Sequence, residues 1–262
     1  MASSGADRQT STEDKSALRP AATVMLIRDV AEGFEVFMLQ RTHSAAFAGG
    51  MYVFPGGKVD ATDGAEALEP YCDGLNDFEA SAILQIPNGG LAYWVAAIRE
   101  CFEEAGVLLA RDTKTNRTVA FDDTKTQERF TKARSAVHDS SMNIIELCQH
   151  EELRLVTGSI HYVSHWITPV GEARRFDTRF FVAAAPESQE PLHDSHETIA
   201  SLWVKPQDAL DKLEPTLGWA GAVVDCSQDP ESGWAICRAL RRRENAVERV
   251  IVLVSGAQLA DL

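Results

Sequence analysis

The chain has 262 residues, 45% of them hydrophobic, and a formal net charge of −14. That is enough to build one large domain around a real core. The acidic balance provides no basic stripe to displace counterions, which argues against nucleic acid and anionic membrane surfaces as partners. A phosphate-bearing small molecule stays open, provided divalent cations bridge the like charges. The five cysteines, Cys72, Cys101, Cys148, Cys226 and Cys237, are scattered without a Cys-x-x-Cys pair and read as reduced thiols. With no basic-then-apolar leader and no run of membrane-spanning length, the expected compartment is the cytoplasm.

Residues 1–18 are rich in Ser, Thr, Asp and Ala and predict a disordered arm. Ala21 to Ile27 reads as a buried strand, Ala31-Glu32-Gly33 as a turn, and Phe34 to Leu39 as the returning strand of a hairpin. Arg41 to Val53 is a loop leading into the turn Phe54-Pro55-Gly56-Gly57-Lys58-Val59-Asp60. An acidic segment follows, carrying Asp63, Glu66, Glu69, Asp73, Asp77 and Glu79, with short helices expected around Ala65 and Phe78.

From near Asn88 the pattern turns helical. Leu91, Val95, Ile98, Phe102 and Ala105 make one apolar stripe. Glu100, Glu103 and Glu104 share the opposite face at i, i+3 and i+4. Gly106 is the expected left-handed stop, and Val107-Leu108-Leu109 reads as an entering strand. Three carboxylates near a helix C-terminus repel one another and oppose the helix dipole. Mg²⁺, which takes carboxylate oxygens and keeps waters, would remove the difficulty; a solvated acidic face is the alternative.

Gly57, the acid Asp63 six residues on, and Arg99-Glu100-Cys101-Phe102-Glu103-Glu104-Ala105-Gly106-Val107 together resemble the box of the Nudix hydrolases, G-x5-E-x7-R-E-U-x-E-E-x-G-U with U apolar. The second half fits at every defined position, with Cys101 counted as apolar. Asp63 stands where the family has glutamate, and an insertion of about residues 64–91 splits the box. Leu39, Arg41, Gly50 and Phe54-Pro55-Gly56-Gly57 also resemble the motif of Nudix enzymes that cleave coenzyme A, with Ala46 in place of that motif's second arginine. The split box is similar to that of peroxisomal-type coenzyme A diphosphatases and their bacterial relatives. In this resemblance the insertion is either a surface elaboration or a lid beside the site.

Downstream, Thr124 to Val137 and Ile144 to Leu155 carry helical spacing and predict a helical addition outside the minimal unit, with Leu147, Leu153 and Leu155 as packing residues. Ile160 to Pro169, Arg175 to Ala183 and Thr198 to Val204 read as strands, and Pro206 to Leu213 as a helix with proline in its first turn. Alternation places Arg175, Asp177 and Arg179 on one strand face, either as a phosphate- or adenine-binding face or as an internal salt-bridge ladder. Trp166 and Trp203 read as core. His193 and His196 read as exposed loop histidines rather than a metal pair. A helix near 232–243 and a strand at Val250 to Val254 complete the expectations.

The resemblance implies a Nudix α/β/α sandwich with a mixed sheet, divided as arm 1–18, hydrolase domain 19–215 and C-terminal extension 216–262. It implies an Mg²⁺- or Mn²⁺-dependent diphosphatase acting on a nucleoside diphosphate derivative. Coenzyme A or acyl-CoA leads as substrate, ADP-ribose or a dinucleotide is the alternative, and a catalytically silent binding module is the reading from another class. Glu100, Glu103, Glu104 and the Gly57 carbonyl would hold metal. Arg99 would orient the carboxylates, and one glutamate, with Glu103, Glu104 and Glu197 the candidates, would take the proton. Arg41, Gly50, Phe54, Gly56 and Lys58, with Arg175 and Arg179, would meet substrate. A homodimer is allowed by this reading but not required.

Overall fold

The computed structural model describes residues 17–43, 50–64, 66–168, 174–194, 197–213, 222–225 and 250–253. Strand β1 (Leu18–Asp29) is longer than expected and takes in the end of the predicted arm; residues 1–16 lie outside the described residues. Its hairpin partner is β2 (Phe34–Arg41), with Gly33 at φ 86° in the turn. The short strands β3 (Tyr52–Val53) and β4 (Gly56–Lys58) follow and pair antiparallel with β2 and β1 respectively.

Two 3₁₀ turns, Ala61–Gly64 and Glu66–Tyr71, lead to α1 (Asp77–Leu84) and then to α2 (Leu91–Ala105). Strand β5 (Ala110–Asp112), α3 (Thr124–His138), α4 (Ile144–His150) and β6 (Leu153–Leu155) come next. The chain continues through β7 (Ile160–Ile167), β8 (Arg175–Ala184), β9 (Thr198–Val204) and α5 (Pro206–Leu213). Strands β10 (Ala222–Asp225) and β11 (Val250–Leu253) pair in parallel. The predicted helix at 232–243 lies outside the described residues.

The main sheet is mixed. Its order is β3-β2-β1-β8-β7, with β4 also on β1 and β9 also on β2. Strand β1 runs parallel to β8 over ten residue pairs, from Leu18 opposite Arg175 to Ile27 opposite Ala184. Alternation then sorts the two faces. Ala22, Val24, Leu26, Phe37, Leu39 and Phe181 join Trp94, Val95, Ile98 and Phe102 of α2 in the main core. Met25, Val36, Met38, Phe54 and Val182 cluster on the other face.

Helix α2 is buried on nearly every side, not along one stripe. Its second cover comes from α1, α3 and α4, so the insertion belongs to the core: Leu68, Ala80 and Leu84 are buried in it. The insertion also builds the start of α2. Asp77 accepts hydrogen bonds from the backbone N–H groups of Gly89 and Leu91, and the Ser81 hydroxyl accepts from Gly90. These satisfy donors at a helix start that has no capping side chain of its own. The helix therefore begins at Leu91 instead of near Asn88. Farther back the insertion is pinned to the body where Asp73 N–H donates to Leu155 O and Gly158 N–H donates to Asp73 O. There Gly74 packs directly on Gly158, and a Cβ on Gly74 would lie 2.7 Å from the Gly158 Cα.

Two further expectations are corrected. Val107 to Leu109 is buried but not a strand; Gln189 reaches in to donate to Leu108 O and accept from Leu108 N–H, replacing a strand partner. The helix expected over Ile144 to Leu155 stops at His150, because Glu152 turns to φ 53° and Leu153–Leu155 then pairs with β5. Leu147, Leu153 and Leu155 are buried packing residues.

Candidate active site

Gly106 (φ 69°) ends α2 and donates to Phe102 O. The last turns bring Arg99, Glu100, Glu103 and Glu104 against β4. Arg99 is 8% exposed and all five of its N–H donors are used. Nε and Nη2 form a bidentate pair with Asp63 at 2.9 Å each, Nη1 donates to Glu100 and Glu103 at 2.9 Å each, and Nη2 also donates to Lys58 O at 2.8 Å. Asp63, 1% exposed, thus meets the box arginine despite the insertion, and its second oxygen also accepts from Asp60 N–H at 2.8 Å.

Glu104 accepts from Gly56 N–H at 2.8 Å. Burial pushes its carboxyl well above the usual carboxylate range, aided by Glu100 and, more weakly, Glu197; the Gly56 bond and Arg41 oppose the shift. Burial likewise lifts Glu100 to about 7, with Arg99 working against it. Gly57 lies so close that a Cβ there would stand 2.4 Å from Glu100 Oε1. Glu197 enters from the segment before β9. Its carboxylate accepts from Arg41 Nη2 at 3.3 Å and its carbonyl accepts from Thr42 N–H at 3.0 Å.

These groups line one cleft of about 1190 Å³, together with Phe54, Gly56, Gly57 and Lys58. Gly50, in contrast, is buried behind it: at φ 77° it donates to Arg41 O and accepts from Gln40, bracing the loop that carries Arg41. The far wall of the cleft is Trp166, Phe176, Thr178, Phe180 and Arg174. Trp166, expected in the core, is therefore a cleft residue, whereas Trp203 packs on Phe37. Arg175 and Arg179 are not in the cleft lining. Because Phe176, Thr178 and Phe180 face it, alternation turns Arg175, Asp177 and Arg179 to the other side of the sheet. There Arg179 donates to Asp177 at 3.1 Å and lies over the Tyr93 ring, His165 pairs with Asp177 at 2.5 Å, and Arg175 donates to Thr168 O. The Arg179–Asp177 ion pair, joined by His165, is the part of the expected ladder that is seen. Among the described residues, none of the insertion at 64–91 lines the cleft.

The helical addition closes a third side through His138, Ser140, Ser141, Met142 and Asn143. His138 Nδ1 lies 3.7 Å from Glu103 Oε2, and Arg134 donates from Nε and Nη2 to the carbonyls of Glu103 and Glu104. Neither residue is marked by any motif; only the inward spacing of α3 hinted that its side chains would reach a neighbour. His193 has a buried Nδ1 with no partner, and His196 lies outside the described residues.

Glu100 and Glu104, lifted mainly by burial and further by neighbouring carboxylates, stand with Glu103 beside a glycine cradle and form the hard-oxygen donor set that suits Mg²⁺ or Mn²⁺. Among the described residues no three His, Cys, Asp or Glu side chains converge as a ready-made cage. Arg99 draws Glu100 and Glu103 to itself and Gly56 engages Glu104, which keeps the three carboxylates gathered at the end of α2.

Residues 76–221 match the family model described as the NUDT19 Nudix domain. The chain is 30% identical over 211 residues to the human acyl-coenzyme A diphosphatase NUDT19, covering 70% of this chain and 56% of the relative. It is 24% identical over 214 residues to the protein of the same name from Xenopus laevis, with 71% and 56% covered. The chain thus spans about half the length of these curated relatives. A crystal structure of a NUDIX hydrolase from Alicyclobacillus acidocaldarius is similar at TM-score 0.58 and 26% identity, over 77% of this chain and 85% of that one. With a matched stretch exceeding half the chain, and with its mixed sheet and glutamate helix, the protein belongs to the Nudix family, in the group of the NUDT19 Nudix domain.

Proposed function

We propose that the protein hydrolyses the diphosphate of a nucleoside diphosphate linked to a second moiety, with coenzyme A or acyl-CoA as substrate and 3′,5′-ADP and the corresponding phosphopantetheine as products. The observation that carries this reading is the arginine-held pair Glu100 and Glu103, set with Glu104 in the wall of a cleft of about 1190 Å³. The choice of coenzyme A draws on the names of the human and Xenopus relatives and on the Leu39, Arg41, Gly50 and Phe54–Gly57 pattern. ADP-ribose or a dinucleotide is the second reading, favoured by Ala46 where an arginine would meet phosphate. A silent binding module is disfavoured by the presence of Arg99 and all three glutamates.

Glu100, Glu103, Glu104 and the Gly57 carbonyl would hold Mg²⁺ or Mn²⁺, which when bound neutralises the non-bridging oxygens and lowers the pKa of a coordinated water. The other steps belong to the side chains of the cleft. Arg99 orients Glu100 and Glu103 through charge-assisted hydrogen bonds and, being fully engaged, has no donor left for substrate. A carboxylate oxygen of Glu197, or of Glu103 or Glu104, accepts the proton of the attacking water. Arg41 fixes Glu197 and, with Lys58, offers positive charge to the diphosphate. Phe54, Trp166, Phe176 and Phe180 give the apolar remainder of the ligand a surface that excludes water. Arg175 and Arg179 have no part in this scheme. We assign the activity to residues 19–215, with 216–262 as an extension.

The test is product release from coenzyme A, acyl-CoA, ADP-ribose, NADH and diadenosine polyphosphates, each with Mg²⁺ and with Mn²⁺. Preference for coenzyme A esters with 3′,5′-ADP as product is the expected result. Preference for ADP-ribose or a dinucleotide would move the assignment to the second reading, and silence across the panel would favour the binding module.

A further inference from the structure

The C-terminal end of α2 holds three glutamates where a helix dipole is least hospitable to them. Its last four carbonyls are nevertheless all satisfied: Phe102 O accepts from Gly106 N–H, Glu103 O and Glu104 O from Arg134, and Ala105 O from Leu192 N–H. Arg134 belongs to α3, in the helical addition. Its fork spans two successive carbonyls at 2.8 and 2.9 Å, which a lysine ammonium on a flexible stem does not reproduce. Gly106 makes the approach feasible, since a Cβ there would stand 2.9 Å from Arg134 Nη1.

The segment before β9 is tied to the same end of α2, where Leu192 N–H donates to Ala105 O at 2.9 Å. Burial pulls the pKa of the Arg134 guanidinium down, and the charges opposing that shift are led by Asp194 of this segment. Asp194 in turn anchors the turn before β9: its Oδ1 accepts from Glu197 N–H and Thr198 N–H at 3.1 Å and from the Thr198 hydroxyl at 2.9 Å.

We propose that Arg134 is a positioning residue, fastening the carbonyls of Glu103 and Glu104 beside the Leu192–Ala105 hydrogen bond that ties this end of α2 to the Asp194-anchored segment carrying Glu197, so that the helical addition sets the spacing of the site's carboxylates. The inference rests on the site reading above for its consequence in turnover, though not for the mechanical link itself. Arg134 does not line the cleft; it acts through the backbone of Glu103 and Glu104.

The experiment compares wild type with Arg134→Met and Arg134→Lys. Amide hydrogen exchange is followed at residues 102–107 and 197–200, Mn²⁺ binding by electron paramagnetic resonance, and kcat and KM separately. In Arg134→Met both segments should exchange faster together, Mn²⁺ should bind about 10- to 100-fold more weakly, and kcat should fall by a similar factor with KM little changed. Arg134→Lys keeps the charge but not the fork and should fall between; it carries the test if the methionine variant does not fold. Exchange that rises in one segment alone, or lost thermal stability with unchanged Mn²⁺ affinity and kcat, would overturn the proposal. If wild type itself bound no Mn²⁺, the site reading would fall while the exchange measurement still decided the link.

Discussion

Glu100 and Glu103 each accept from Arg99, whereas among the described residues the Glu104 carboxylate accepts only from a backbone N–H, that of Gly56. Glu104 is also 7% exposed. A buried acid with so little compensation is inexpensive to neutralise but chemically conspicuous. Glu104→Gln keeps the shape and an oxygen for Gly56 N–H, so folding should be intact. Mg²⁺-dependent turnover should drop by more than the roughly 10- to 100-fold loss of an outer-shell change. Circular dichroism and initial rates together check this, and near-normal rates would remove Glu104 from the metal site. At this scale the sequence was legible where a motif fixes spacing. The box named Arg99 and its glutamates, and the six-residue step to Asp63 named the acid that the arginine meets. Arg134 and His138 could not be read that way, because an amphipathic pattern says which side of α3 faces inward but not which carbonyl or carboxylate waits there.

Between elements, the close fit of β4 on α2 makes its own prediction. A methyl group on Gly57 would overlap the Glu100 carboxylate at 2.4 Å, yet what it meets is the end of a side chain and not backbone. Gly57→Ala should therefore leave the melting temperature nearly unchanged while displacing Glu100, lowering turnover by about tenfold or more, the size expected when a supporting contact to a metal ligand is lost. Equal rates for the two proteins would show that Glu100 has room to spare. Strands β1, β2, β7, β8 and β9 of the main sheet were readable from their apolar pattern and from turns such as Gly33, whereas β3 and β4, two and three residues long, fell in what read as a loop and a turn. The start of α2 was not, because its cap comes from Asp77, twelve and fourteen residues before the N–H groups it satisfies. The false helix past His150 has a similar cause: Leu147, Leu153 and Leu155 are apolar in both readings, and only the left-handed turn at Glu152 separates them.

For the molecule as a whole, the central helix is held by Asp77 at one end, by Arg134 at the other and by Arg99 between, none of which requires an ion. Chelation with EDTA should stop turnover yet shift the melting midpoint by no more than about 4 °C, the effect of roughly 1 kcal/mol in a domain of this size. A fall of ten degrees or more in a thermal melt would make the metal a structural element instead. Among the described residues no helix is long and apolar enough to cross a membrane.

The Gly74–Gly158 contact has an architectural meaning as well. Two backbones touch there with no room for a side chain on either, so the chain possesses a fixed station midway through the detour between Lys58 and Leu91. The detour is thereby split into two separate excursions, one from Lys58 to the station and one from it to Leu91. Closing a loop becomes only slowly harder as it lengthens. The station leaves two shorter loops to close, the first bringing Asp63 to Arg99 and the second bringing Asp77 to the start of α2, and a side chain on either glycine would force the two backbones apart.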